Sequence, residues 1–178
     1  MGGAVIGSKE LLQPVKRVAT NLGPTASPFD SWLILRGIKT LALRMERHCA
    51  NALELAEMLA AHPAVLSVHY PGLPTGADYG LAVRQFRQGF GGMLSFEVAG
   101  GAAGAESVMQ ALRMVDLVPS LAGVTTTVSH PAKTSHRGLT AEEREALGIG
   151  DGLIRLSVGI EAIDDLKADL TQALAALV

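Results

Sequence analysis

The chain has 178 residues, 48% of them hydrophobic, enough for one sizeable core or for one compact domain with a structural appendage. Its 15 Lys and Arg against 17 Asp and Glu leave a net charge of −2, too weak a field to gather nucleic acid or an anionic membrane. The single cysteine, Cys49, excludes an internal disulfide, sits in an apolar helical stretch as a small buried thiol, and fits a reducing cytoplasm.

Met1 to Gly7 is apolar and Gly-rich but has no basic flank, and it is too short for a secretory signal or a membrane span. Gly3 to Gly7 reads as a short strand buried on both faces, whose neighbours are expected in polypeptide upstream of Met1. Ser8 caps a helix expected to run to Val18.

Ser27, Pro28 and Asp30 form a strong helix start: Ser27 at the N-cap, Pro28 at the first helical position and Asp30 completing a capping box. Apolar residues recur with helical spacing at Ile34, Ile38, Leu41, Met45, Cys49, Ala52, Ala56 and Leu59, until His62 and Pro63 stop the pattern. This predicts one helix of roughly 30 residues, far beyond the usual length of about 11–12. Such a helix is expected to link two bodies or to run along another subunit, with a domain boundary near its end: 1–61, then 62–178.

Beyond it, strands are expected at Val65–Tyr70, Gly92–Val98, Val124–Val128 and Leu153–Val158, with a strand or loop at Leu117–Leu121. Helices are expected at Tyr79–Gln88, Ala105–Met114 and Ile163–Leu177. The alternation implies an α/β chain whose second part is an α+β sheet covered by helices on one face.

Among polar residues Arg155 is the most informative. Period-two alternation puts Leu153, Arg155 and Ser157 on one face of a strand and Ile154, Leu156 and Val158 on the other. An arginine there presents a planar fork to a carboxylate, or it merely belongs to a solvated sheet face, which is the commoner case on spacing alone. Ser120, before a turn containing Gly123, offers a hydroxyl to a small anion, although a plain turn serine fits as well. His130, Lys133 and His136 share a loop but lack the spacing of a metal site, so no zinc is expected. Gly89 to Gly92 precedes a strand rather than a helix, which points to close backbone packing rather than phosphate binding. Glu161, Asp164 and Asp165 read as ordinary charge placement at a helix N-terminus.

The segment Ser27-Pro-Phe-Asp-Ser-Trp-Leu-Ile-Leu-Arg-Gly-Ile-Lys-Thr-Leu41, followed by Arg44, Met45, Arg47 and His48, resembles a signature stretch of the transsulfuration enzymes of cysteine and methionine metabolism. These include cystathionine gamma-synthase, cystathionine gamma-lyase, methionine gamma-lyase and the homoserine-ester sulfhydrylases. Further stretches match in the family order: His62-Pro63, Tyr70-Pro-Gly-Leu73, Gly89-Phe-Gly-Gly-Met-Leu-Ser-Phe96, Ser120-Leu121, His130-Pro-Ala132 and Asp151-Gly-Leu-Ile-Arg-Leu-Ser-Val-Gly-Ile-Glu161.

The resemblance implies the C-terminal part of a fold-type I pyridoxal-phosphate (PLP) enzyme: the end of the cofactor domain with its linking helix, then the smaller domain that closes over the substrate. It implies a cytoplasmic homo-oligomer, a homotetramer in the family, acting on a sulfur amino acid or an activated homoserine. It also assigns Arg155 to the substrate α-carboxylate, with Ser120 assisting. The Schiff-base lysine of the family follows a Ser-x-x-Thr pattern expected upstream of Met1; Lys9, Lys16, Lys39, Lys133 and Lys167 have no such context. Two positions depart from the pattern: Pro119 stands where cystathionine-specific members often carry glutamate, and Ala122 replaces a usual glycine. Both leave the particular substrate open.

Overall fold

The computed structural model describes residues 3–177, in two compact units, Met1–Leu43 and Arg44–Val178. The first holds helices α1 (Lys9–Leu22) and α2 (Pro28–Ile38). Ser8 Oγ accepts the Leu11 N–H at the start of α1, and Gly23 ends the helix in the left-handed region at φ +72°. Ser27 Oγ accepts the Asp30 N–H at 3.0 Å, with Pro28 in the first turn, as its sequence position requires.

Two expectations for this unit need correction. Gly3–Gly7 forms no strand: a strand buried on both faces needs neighbours on both edges, and the described residues supply none, leaving Val5 and Ile6 exposed. The single long helix is interrupted at Lys39–Thr40, and α3 begins at Leu41 and runs to Ala60. The β-branched Thr40, a weak helix former, falls at this interruption, and Gly37 lies in the last turn of α2 before it.

The second unit is built on a five-stranded sheet in the order β1–β2–β5–β4–β3: β1 (Val65–His69), β2 (Met93–Val98), β3 (Asp116–Leu117), β4 (Thr127–Ser129) and β5 (Leu153–Ser157). All neighbours are antiparallel except the short parallel pair β3–β4. Helices α4 (Tyr79–Gln85), α5 (Gly101–Ala111), α6 (Ala141–Ala146) and α7 (Ile163–Leu174) complete it.

One face of the sheet carries the core. Phe96 pairs with Ile154, and Leu156 lies between Leu94 and Val128, so the inward residues of three strands form rows across the sheet. Against them pack Ala52, Leu55, Ala56 and Leu59 of α3, Ala105 and Val108 of α5, and Leu166, Leu170, Ala173 and Leu174 of α7. These recur at three- and four-residue intervals, one stripe per helix. Burying each leucine or phenylalanine contributes about 1.5–3 kcal/mol.

Asp169 of α7 is the buried exception. Its carboxylate accepts the backbone N–H groups of Arg113, Met114 and Val115 at 2.9–3.1 Å and Gln172 Nε2 at 3.0 Å, which fixes the turn between α5 and β3. Burial pushes its pKa up, but the three N–H donors and Gln172 outweigh burial and hold it below the usual carboxylate range.

Candidate functional site

On the opposite sheet face, register places four polar residues in one row across four strands: His69 opposite Ser95, Ser95 opposite Arg155, and Arg155 opposite Ser129. Arg155 sits mid-strand on the central β5 and is half-buried, while its same-face neighbours Leu153 and Ser157 are buried. This is therefore not the open, solvated face of an ordinary sheet. Among the described residues, the Arg155 guanidinium has no hydrogen-bond or ion-pair partner, in contrast to Arg144, which meets Asp151 at 2.8 Å. An unpaired fork held on a rigid central strand is suited to receive a carboxylate in two parallel N–H···O bonds.

Ser120 lies in the exposed segment after β3. Its carbonyl accepts Thr127 Oγ1 at 3.1 Å, and its N–H reaches the Val118 carbonyl at 2.8 Å. Thr127 pairs with Ser157, two residues along β5 from Arg155. The two residues singled out in the sequence are thus tied to neighbouring strands, and no hydrogen bond joins them among the described residues.

What holds the Ser120 segment in register is a brace that sequence reasoning missed. Glu161 Oε1 accepts the Thr126 N–H at 2.5 Å, and Oε2 accepts the Thr126 hydroxyl at 2.9 Å. Thr126 Oγ1 in turn accepts the Gly159 N–H at 2.8 Å, and the Ile160 N–H donates to the Val124 carbonyl at 2.9 Å. From α3, the His48 Nδ1–H meets the Val158 carbonyl at 2.6 Å, and Asn51 Nδ2 donates to the carbonyls of Gly159 and Glu161. Glu161 read as plain helix-terminal charge because its partner lies 35 residues back; the local sequence carries no sign of it.

The loop read as close packing is so. A Cβ on Gly89, at φ +121°, would stand 2.7 Å from Cys49, and the Gly91 N–H donates to Cys49 Sγ at 3.3 Å. Cys49 is consequently half-buried against this loop rather than sunk in the core. His130 Nε2–H donates to the Asp151 carbonyl at 2.7 Å, a fastening contact. Among the described residues no three His, Cys, Asp or Glu side chains gather in a way that would hold a metal ion, and no helix is long and apolar enough to cross a membrane.

The five lysines stand in solvent or in ion pairs. Lys9, Lys16 and Lys39 are exposed in the first unit, and the exposed Lys133 is ion-paired with Glu106. Lys167 Nζ is held by Glu54 at 2.5 Å, a hydrogen bond that raises its pKa, the reverse of what an amine nucleophile needs. The described residues thus supply an unpaired guanidinium on the central strand, and a brace that ties the neighbouring segment to the end of that strand.

The chain is 48% identical over 177 residues to O-succinylhomoserine sulfhydrylase of Pseudomonas aeruginosa, and 47% identical over 176 residues to L-methionine gamma-lyase of Pseudomonas putida. These matches cover 99% and 98% of the chain but 44% of each relative, so the chain spans less than half their length. Among solved structures, cystathionine gamma synthase from Xanthomonas oryzae pv. oryzae, in complex with aminoacrylate and cysteine, matches with TM-score 0.87 and 46% identity over 94% of this chain and 43% of that one. Cystathionine gamma-lyase from Lactobacillus plantarum, complexed with L-serine, matches with TM-score 0.89 and 38% identity over 97% and 45%. The model of the Cys/Met metabolism PLP-dependent enzyme family matches residues 1–175, and the chain belongs to that family.

Proposed function

We propose that this chain supplies the substrate-closing part, residues 62–178, and the linking helices of a PLP-dependent enzyme that eliminates or replaces a group at the β or γ carbon of a sulfur amino acid or an activated homoserine. Arg155 binds the substrate α-carboxylate and Ser120 assists from the adjoining segment. The observation that carries the reading is the half-buried, unpaired guanidinium on the central strand, between the buried Leu153 and Ser157 and opposite the buried Ser129. Fixing the carboxylate fixes the amino acid's orientation, so the bond to be broken stays aligned for the chemistry that PLP supplies when bound. Because no described lysine suits the aldimine role, the chain by itself is inactive, and the lysine belongs to polypeptide outside it.

The family setting supports a cytoplasmic homo-oligomer. A specific observation favours association: Phe29, Trp32, Leu35 and Ile38 of α2 are all exposed, more apolar surface than an isolated helix keeps in water. Light scattering on the purified chain tests this part, and a clean stable monomer refutes it.

The activity is tested in full-length protein carrying this chain, with cystathionine, methionine and homoserine esters as substrates. Arg155→Leu should lower kcat/KM roughly 30- to 1,000-fold, the cost of about 2–4 kcal/mol for one paired charge. No turnover of any of these substrates by the unsubstituted protein refutes the assignment.

A further inference from the structure

Ser129 faces Arg155 from the next strand, as its direct register partner on the same sheet face. Ser129 is 2% exposed, and its Oγ is buried with no hydrogen-bond partner. Opposite residues in an antiparallel ladder have Cβ atoms roughly 4.5–5.5 Å apart. A buried hydroxyl without a partner, costly to leave so, therefore lies beside the stem of a half-buried guanidinium that has no protein partner. Ser95, the partner of Arg155 on the other side, is only half-buried, so water reaches it.

We propose that Ser129 is a positioning residue of the carboxylate site, and that its Oγ accepts the Arg155 Nε–H when an α-amino carboxylate occupies the two terminal nitrogens of the fork. The inference rests on the assignment of Arg155 as the carboxylate ligand. An end-on bidentate carboxylate uses the two Nη groups and leaves Nε–H without a partner. Ser129 is placed to take that proton's hydrogen bond, holding the guanidinium plane against rotation. Occupancy of the site thereby satisfies three groups at once: both orphans and the ligand's own carboxylate. Ser120 lies in an exposed segment and is not a register partner of Arg155, and the Glu161 carboxylate is engaged with Thr126.

The test is a titration of the 15N-labelled chain followed at the Arg155 Nε–H resonance, assigned by its loss in Arg155→Leu. The probes are L-methionine and its decarboxylated amine, 3-(methylthio)propylamine. The expected result is a downfield Nε–H shift with methionine and none with the amine. Ser129→Ala should weaken methionine binding about 5- to 10-fold and abolish the downfield shift, and Ser129→Thr should restore both. The melting temperature of Ser129→Ala should stay level or rise, because the ligand-free fold loses only an unpartnered hydroxyl.

A shift and affinity in Ser129→Ala equal to the parent, with Arg155→Leu non-binding, overturns this inference and leaves the carboxylate assignment standing. A wild-type chain whose Arg155 resonance ignores methionine overturns both. A clear fall in melting temperature in Ser129→Ala also overturns the inference, since the hydroxyl then has a structural partner without ligand.

Discussion

Glu161 grips Thr126 twice, through its backbone N–H at 2.5 Å and its hydroxyl at 2.9 Å. Through Thr126 the carboxylate joins the end of β5, which carries Arg155, to the segment running back to Ser120. Glu161→Ala removes both acceptors and leaves the Thr126 N–H, in a buried residue, without a partner. A loss of about 2–3 kcal/mol is expected, read from the urea midpoint. Glu161→Gln keeps one acceptor oxygen and should lose about half as much. An Ala variant as stable as the parent shows that the brace contributes nothing.

Asp169 makes stability depend on acid. Its pKa lies below the ordinary carboxylate value because three backbone N–H groups and Gln172 favour the charged form over the opposing effect of burial. The unfolded chain therefore takes up this proton more readily than the folded one. The contribution is fully present above about pH 4, the unfolded value, and is lost as pH falls through the lower folded value. Asp169→Asn should destabilise the chain by about 1.5–3 kcal/mol at pH 7, with a difference from the parent that shrinks towards pH 3 in urea melts. A difference that does not change with pH contradicts the account.

Ala122 has φ +61° and is the one non-glycine among the described residues with positive φ. A side chain in this left-handed region costs on the order of 1 kcal/mol, which glycine avoids. This gives a physical meaning to an alanine where the family resemblance leads one to expect glycine: the segment after Ser120 holds a residue in a strained backbone region. Ala122→Gly should therefore be neutral or stabilising by up to about 1 kcal/mol, whereas Ala122→Val should destabilise. Thermal melts of the three proteins decide it, and a destabilised Gly variant refutes the strain.

Local signals made much of this legible. The Ser27–Pro28 start, the alternation of Met93–Val98 and the helical stripe of α7 each depend on near neighbours, and each element appears where its pattern lies. Helix α6 is equally local: Thr140 and Glu143 form a reciprocal capping box, a signal that the sequence carries at this spacing. The failures were non-local. The strand expected from Val124 begins only at Thr127, because Val124 and Thr126 bond instead to Ile160 and Glu161. Period two placed Arg155 and Ser157 on the right face, but whether that face is open depends on what covers it. The orphaned Ser129 hydroxyl requires coordinates to be seen at all.

The lysines give the last prediction. An amine that forms an aldimine must spend time unprotonated in a desolvated pocket. Lys167 is pushed the other way by the Glu54 hydrogen bond, Lys133 is tied to Glu106, and Lys9, Lys16 and Lys39 stand in solvent. Incubating the purified chain with PLP and reducing with borohydride should therefore give only substoichiometric label spread over several lysines, read by intact mass and peptide mapping. A single stoichiometric adduct would mean that one of these amines is activated after all, and that the chain makes its own cofactor linkage. The scattered outcome agrees with the proposal that none of these five amines is the reactive lysine.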